Sequence, residues 1–183
     1  MARTAQDILG IRRLIGGPAH GRDVAADADV IPVSYKIPIS TLVLVHTSDL
    51  RVLLVERADY PGHWQSVTGS QEPGETLVET ALRELREETG IDADEYGGLS
   101  DWQTSNVFEI FPQWLHRYPA GTTHNTEHVF ALEVPAPLPV KLAPHEHLRH
   151  VWLPWREAAA KCFSWSNRDA ILLLPQKAGK QND

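Results

Sequence analysis

Gly69-Ser70-Gln71-Glu72-Pro73-Gly74-Glu75-Thr76-Leu77-Val78-Glu79-Thr80-Ala81-Leu82-Arg83-Glu84-Leu85-Arg86-Glu87-Glu88-Thr89-Gly90-Ile91 is the stretch that decides how this chain folds. From Thr76 the apolar residues recur at the period of an α-helix, and Leu77, Val78, Ala81, Leu82 and Leu85 fall on one stripe. Gly90 supplies the stop, because glycine adopts the left-handed conformation that ends helices at little cost. Glu84 and Glu88 lie one turn apart on the same edge of the stripe, and Glu87 lies beside them towards solvent. A solvated acidic face more often sits opposite the core. These acids border it, where a helix packed on a sheet forms the wall of a cleft.

Like charges one turn apart destabilise a helix by about 0.2–0.5 kcal/mol in water, and by more when partly desolvated. A hard divalent cation reverses the sign of that effect. Oxygen ligands, with no Cys or His at ligand spacing, favour Mg²⁺ or Mn²⁺ over Zn²⁺. Mg²⁺ completes its shell with waters and phosphate oxygens, so such a wall suits a polyphosphate substrate. Arg83 is placed to orient a neighbouring carboxylate through a charge-assisted hydrogen bond. Gly69 and Gly74 let the backbone approach closely, and the Gly69 carbonyl offers another oxygen ligand.

Upstream, residues 39–46 and 51–56 read as two strands of a hairpin turning at Ser48-Asp49, and 64–68 as a further short strand. Downstream, strands are expected at 106–111, 127–134 and 150–153, with a loop over 114–125. Helices are expected at 155–161 and 168–174, the second capped by Ser166 or Asn167. Strands interleaved with helices predict an α/β fold with a mixed sheet between helical layers. Compact patterning spans 33–175. Residues 1–32 read as an N-terminal extension with a short amphipathic helix over 5–15, and 176–183 as a polar tail.

With 183 residues the chain suits one well-buried domain. Its net charge of −7 argues against coating nucleic acid, which needs a basic stripe. The lone Cys162 makes no internal disulfide, so a reducing cytoplasm is expected. No apolar run reaches bilayer-spanning length and no secretory signal is read. His116, His124, His145, His147 and His150 show no ligand spacing and are expected at the surface.

The acidic stretch matches, at every fixed position, Gly-x5-Glu-x7-Arg-Glu-aliphatic-x-Glu-Glu-x-Gly-aliphatic, and so resembles the signature of the Nudix hydrolase family. The resemblance implies the Nudix α/β/α sandwich and cleavage of a diphosphate linkage. Carried over residue by residue, Glu84 and Glu88 would be the main metal ligands, and Glu87 a further ligand or general base. Glu146, in Pro144-His145-Glu146-His147-Leu148, would ligate the metal or take the proton from water.

The likeness extends through Lys36-x-Pro38-x-Ser40, Arg57, Trp64–Ser70, Phe108-Glu109-Ile110-Phe111, His116-Arg117-Tyr118, Asn125-Thr126-Glu127 and Ser164–Arg168. In this order the residues resemble the branch of the family that hydrolyses dihydroneopterin triphosphate to the monophosphate and pyrophosphate in folate biosynthesis. The alternative is a broader nucleoside triphosphate or dinucleoside polyphosphate hydrolase, since a purine and a pterin share shape and edge polarity. Lys36, Arg57, Thr68, Phe108, Glu109, Ile110, Phe111 and Ser164 would contact the pterin or nucleoside triphosphate. Lys36 and Arg57 can meet phosphate oxygens, Arg57 in bidentate fashion. Phe108 or Phe111, on opposite faces of one strand, can stack on a flat ring, with Glu109 accepting from its N–H groups.

Overall fold

The computed structural model describes residues 35–180. The expected extension 1–32, its helix over 5–15 and the last three residues of the expected tail lie outside the described residues.

The centre of the fold is β1 (Ile39–Thr47), whose residues from Thr41 onward are all buried. A strand apolar on both faces must be covered on both. Alternation sends Leu42 and Leu44 to one core and Val43 and Val45 to the other. β2 (Arg51–Arg57) and β6 (His124–Val134) repeat the division, with Val52, Leu54, Val129 and Ala131 on one face and Leu53, Phe130 and Leu132 on the other. The first face is covered by α2 (Trp155–Lys161) and α3 (Trp165–Lys180), the second by α1 (Leu77–Thr89). The result is an α/β/α sandwich, with helices on both sides of one mixed sheet.

The sheet runs β3-β2-β1-β6-β5, with β3 as Trp64–Gln65 and β5 as Ser100–Glu109. β4 (Val67–Ser70) also pairs with β1, and β7 (His147–Pro154) with β2. Only β1 and β6 run parallel among these pairs. β1 and β2 meet at His46 and Val52 and then part, so β4 takes the place beside Ser40–Val43. That parting opens the sheet where the acidic helix packs.

Several elements differ from expectation. The strand expected over 64–68 is broken at Ser66, whose N–H donates to the Asn167 side chain (2.7 Å) instead of a neighbouring strand. β5 begins earlier than expected and ends at Glu109; Pro112, which has no N–H to give a sheet, opens a 3-10 turn over Pro112–Arg117 that runs into the expected loop. Phe108 and Phe111 therefore do not share a strand. Ser166 and Asn167 do not cap α3; both lie buried in its first turn, and the Ser164 hydroxyl accepts from the Asn167 N–H (3.4 Å). α3 continues to Lys180, through part of the expected polar tail. No helix among the described residues is long and apolar enough to cross a membrane.

On α1, Ala81 and Leu85 are fully buried, but Val78 is 44% exposed. The buried face instead includes Thr80, whose hydroxyl donates to Glu75 in the preceding loop (2.9 Å). Leu85→Ala should therefore lower the unfolding free energy by about 2–5 kcal/mol, and Val78→Ala by about 0.5 kcal/mol or less. Urea denaturation of both variants measures the contrast.

Candidate active site

α1 is held at both ends. Thr76 and Glu79 form a capping box, and the Gly90 N–H, in left-handed conformation (φ 71°), donates to the Arg86 carbonyl (2.9 Å). The side chains of Glu88 (4% exposed), Glu84 (13%) and Glu87 (59%) are graded outward from the core, in the order the helical period requires. Arg83 is threaded among them. Its guanidinium forks onto Glu75 (2.6 and 3.1 Å) and reaches Glu84 (2.8 Å), Glu87 (3.2 Å) and the Ser70 carbonyl (3.1 Å). One cation thus serves three carboxylates. It holds the Glu75 carboxyl down at about 2. Burial pushes Glu84 up to about 7 despite Arg83, with Glu88 and Glu87 adding repulsion. Burial raises Glu88 as well, against His147 and the Thr68 N–H, which favour its charged form.

Gly69 serves this wall by lacking a side chain. A Cβ there would lie 1.7 Å from Glu84 Cδ, so the carboxylate packs directly on the strand backbone. Gly74 differs from expectation: its φ of 89° and open surroundings make it a turn residue without close approach.

The loop before β7 is tied to the end of α1 by Lys141 N–H to Thr89 (2.9 Å) and Ala143 N–H to Glu88 (3.4 Å). This brings Glu146 to the helix, and ligand atoms of Glu88, Glu146 and His147 lie within 4.8 Å of one another. His147 corrects the expectation of a surface role; it is buried, and its Nε2 lies 3.1 Å from Glu88 Oε2 without hydrogen-bond geometry. Leaving a buried carboxylate oxygen unpaired costs about 1–3 kcal/mol or more. The donor set, carboxylate oxygens with one imidazole, fits a divalent cation. Glu84 stands outside this close group, on the Gly69 side of the same wall.

The wall forms one side of a cleft of about 880 Å³. Glu84, Glu87, Glu88, Glu146, Gly69, Lys36, Arg57, Thr68, Phe108, Glu109, Ile110, Phe111 and Ser164 all line it; Arg83 stands behind. Lys36 Nζ lies 3.5 Å from Ser70 Oγ, and burial together with Arg117 lowers its pKa. The Arg57 guanidinium lines the cleft and is engaged by Asp59 (2.9 and 2.6 Å), Gln65 (3.1 Å) and the Trp114 ring (4.9 Å). Thr68 accepts from Gln65 (3.1 Å). Ile110 is buried with its N–H bound to Thr123, and Glu109 is exposed. Phe111 meets Trp114 edge-on (5.2 Å).

The cleft also contains residues given no site role from sequence, among them Trp114, Phe163, Asn125, Glu127 and Asn167. Glu127 carried a readable signal, an acid alternating with Val129 and Ala131 on a buried strand face. Burial pushes its carboxyl up to about 7, against a hydrogen bond from Ser166. An unfolded chain ionises such a group near pH 4.3. Between the two values the folded state keeps a proton that the unfolded state has lost, so stability falls as pH rises across that window and stays lower above it. Glu127→Gln should therefore stabilise the protein at pH 8 by about 1–3 kcal/mol, and much less at pH 4. Denaturation at both pH values measures this.

Comparison with known proteins agrees with the geometry. A NUDIX domain model matches residues 36–174. Dihydroneopterin triphosphate diphosphatase of Escherichia coli is 47% identical over 139 residues, covering 75% of this chain and 91% of that protein. Its Haemophilus influenzae counterpart is 40% identical over 141 residues, covering 76% and 88%. The solved structure of the E. coli dihydroneopterin triphosphate pyrophosphohydrolase superposes with a TM-score of 0.70 at 46% identity, covering 75% of this chain and 94% of that one. A signature helix with its carboxylates gathered on a cleft wall, inside a match that spans the whole sheet, makes this chain a member of the Nudix family of hydrolases.

Proposed function

We propose that this chain hydrolyses dihydroneopterin triphosphate to dihydroneopterin monophosphate and pyrophosphate, a step of folate biosynthesis, with Mg²⁺ as its cation and Mn²⁺ as a substitute. The observation that carries this reading is the 47% identity extending across 91% of the E. coli diphosphatase, well beyond the signature helix. The cleft agrees with it chemically, joining a carboxylate wall to an aromatic and polar end within one cavity. We assign residues 33–175 as the hydrolase domain, 1–32 as an extension and 176–183 as a tail, and place the enzyme in the cytoplasm.

Glu84, Glu88 and Glu146, with Glu87 and the Gly69 carbonyl as further oxygen donors, would hold the cation. When bound, it neutralises the polyphosphate and lowers the pKa of water. Arg83 keeps Glu84 and Glu87 oriented while its fork stays on Glu75. Glu146 or Glu87 takes the proton as water attacks phosphorus and the bond to the pyrophosphate oxygen breaks. Lys36 lies within the field of Glu84 and Glu146 and would meet phosphate oxygens. Arg57, Thr68, Ser164 and the segment from Phe108 to Phe111 contact the rest of the substrate.

Phosphorus NMR of the reaction tests the proposal. One pyrophosphate per substrate consumed is expected, with kcat/KM for dihydroneopterin triphosphate above that for dATP. Release of three orthophosphates, or a preference for dATP, contradicts it. In parallel, Glu88→Gln should remain folded and lose about a hundredfold or more in kcat/KM, the scale of several kcal/mol of lost charge stabilisation.

A further inference from the structure

In the lining of the cleft, buried acceptors without a protein partner stand on β6. Asn125 and Glu127 project from the same face of β6. On one side β5 places Phe108 opposite Asn125 and Asn106 opposite Glu127; on the other, β1 places Ser40 beside Glu127. Both residues are buried (3% and 6% exposed) and both line the cleft. Asn125 donates its amide to Ser40 Oγ (2.7 Å), which leaves Oδ1 without a protein partner. Glu127 is hydrogen-bonded by Ser166, yet its Oε2 has no protein partner. Asn167 accepts from the Ser66 N–H (2.7 Å) and from Cys162 Sγ (3.3 Å) and donates to Ser66 Oγ (2.9 Å), so it fixes the surroundings.

The two atoms left without a protein partner, Asn125 Oδ1 and Glu127 Oε2, are both acceptors, so a ligand that meets them brings donors. A carboxylate presents two parallel acceptors, the complement of two adjacent N–H groups. The 2-amino-4-oxopyrimidine edge of a pterin carries such a pair, its exocyclic amine beside a ring N–H. The adenine edge sets a donor beside a ring nitrogen lone pair, which repels a carboxylate.

We infer that Glu127 is the residue that selects the substrate ring, accepting the paired N–H groups of a 2-amino-4-oxopyrimidine edge, with Asn125 Oδ1 as an adjoining acceptor and Phe108 against the ring. This rests on the diphosphatase reading and deepens it. Lys36 and the acidic wall then serve the triphosphate, and β6 serves the ring.

Two measurements test it. In the first, kcat/KM for dihydroneopterin triphosphate and dATP is compared in wild type and Glu127→Gln. A glutamine offers one acceptor and one donor, so the pterin-over-dATP ratio should fall about tenfold to a hundredfold, the effect expected when a charge-assisted pair is replaced by a mismatched one. The second needs no variant. Wild-type protein should bind neopterin at least about tenfold more tightly than the corresponding 2,4-dioxopteridine, which lacks the amine. Equal affinity for the two rings, or an unchanged substrate ratio in folded Glu127→Gln, overturns the assignment and leaves the diphosphatase reading standing. Failure of the wild type to release pyrophosphate from dihydroneopterin triphosphate overturns both.

Discussion

The arrangement depends on a crowding of like charge that one guanidinium only partly relieves. Glu75, Glu84, Glu87 and Glu88 converge on the same side of α1, and Arg83 reaches the first three. It satisfies Glu75 so fully that this carboxyl stays ionised far into acid, and leaves Glu84 too weakly compensated for its burial. Glu88, deeper still, has an oxygen with no hydrogen-bonding partner. A fold that keeps such a set together gains most when further positive charge arrives, and a divalent cation is the compact way to supply it.

The rest of the fold serves to hold that wall against a cleft. Parting of β1 and β2 admits β4 beside β1, which sets Gly69 directly under Glu84. Hydrogen bonds from residues 141 and 143 to the end of α1 deliver Glu146 and His147. On the opposite sheet face the first turn of α3 closes over β6, where Glu127 and Asn125 meet Ser166 and Ser40. The cleft thus joins two chemistries from two faces of one sheet. α1 contributes a crowded set of carboxylates, and β6 contributes buried acceptors without a protein partner.

Much of this was legible because it is periodic. The helix, its stop at Gly90 and the grading of Glu84, Glu87 and Glu88 follow from the 3.6-residue repeat, and strands β1, β2 and β6 follow from branched apolar runs. What escaped depends on contacts between distant segments. Val78 belongs to the stripe by period, but the loop carrying Glu75 covers the Thr80 side instead. His147 looked like one of several scattered histidines, and is buried because its loop is tied to α1. Phe111 looked like strand and follows the strand's end, where Pro112 turns the chain.

On this reading a divalent ion sits among the acids of α1 and lets them coexist. Electron paramagnetic resonance of Mn²⁺ titrated with the protein tests it directly, since only the free aqueous ion gives the sharp signal. Wild-type protein should quench that signal to saturation, and a folded double variant, Glu84→Gln with Glu88→Gln, should leave most of it intact. Mn²⁺ remaining free in the presence of wild-type protein, with and without pyrophosphate, would mean that no divalent ion sits among these acids.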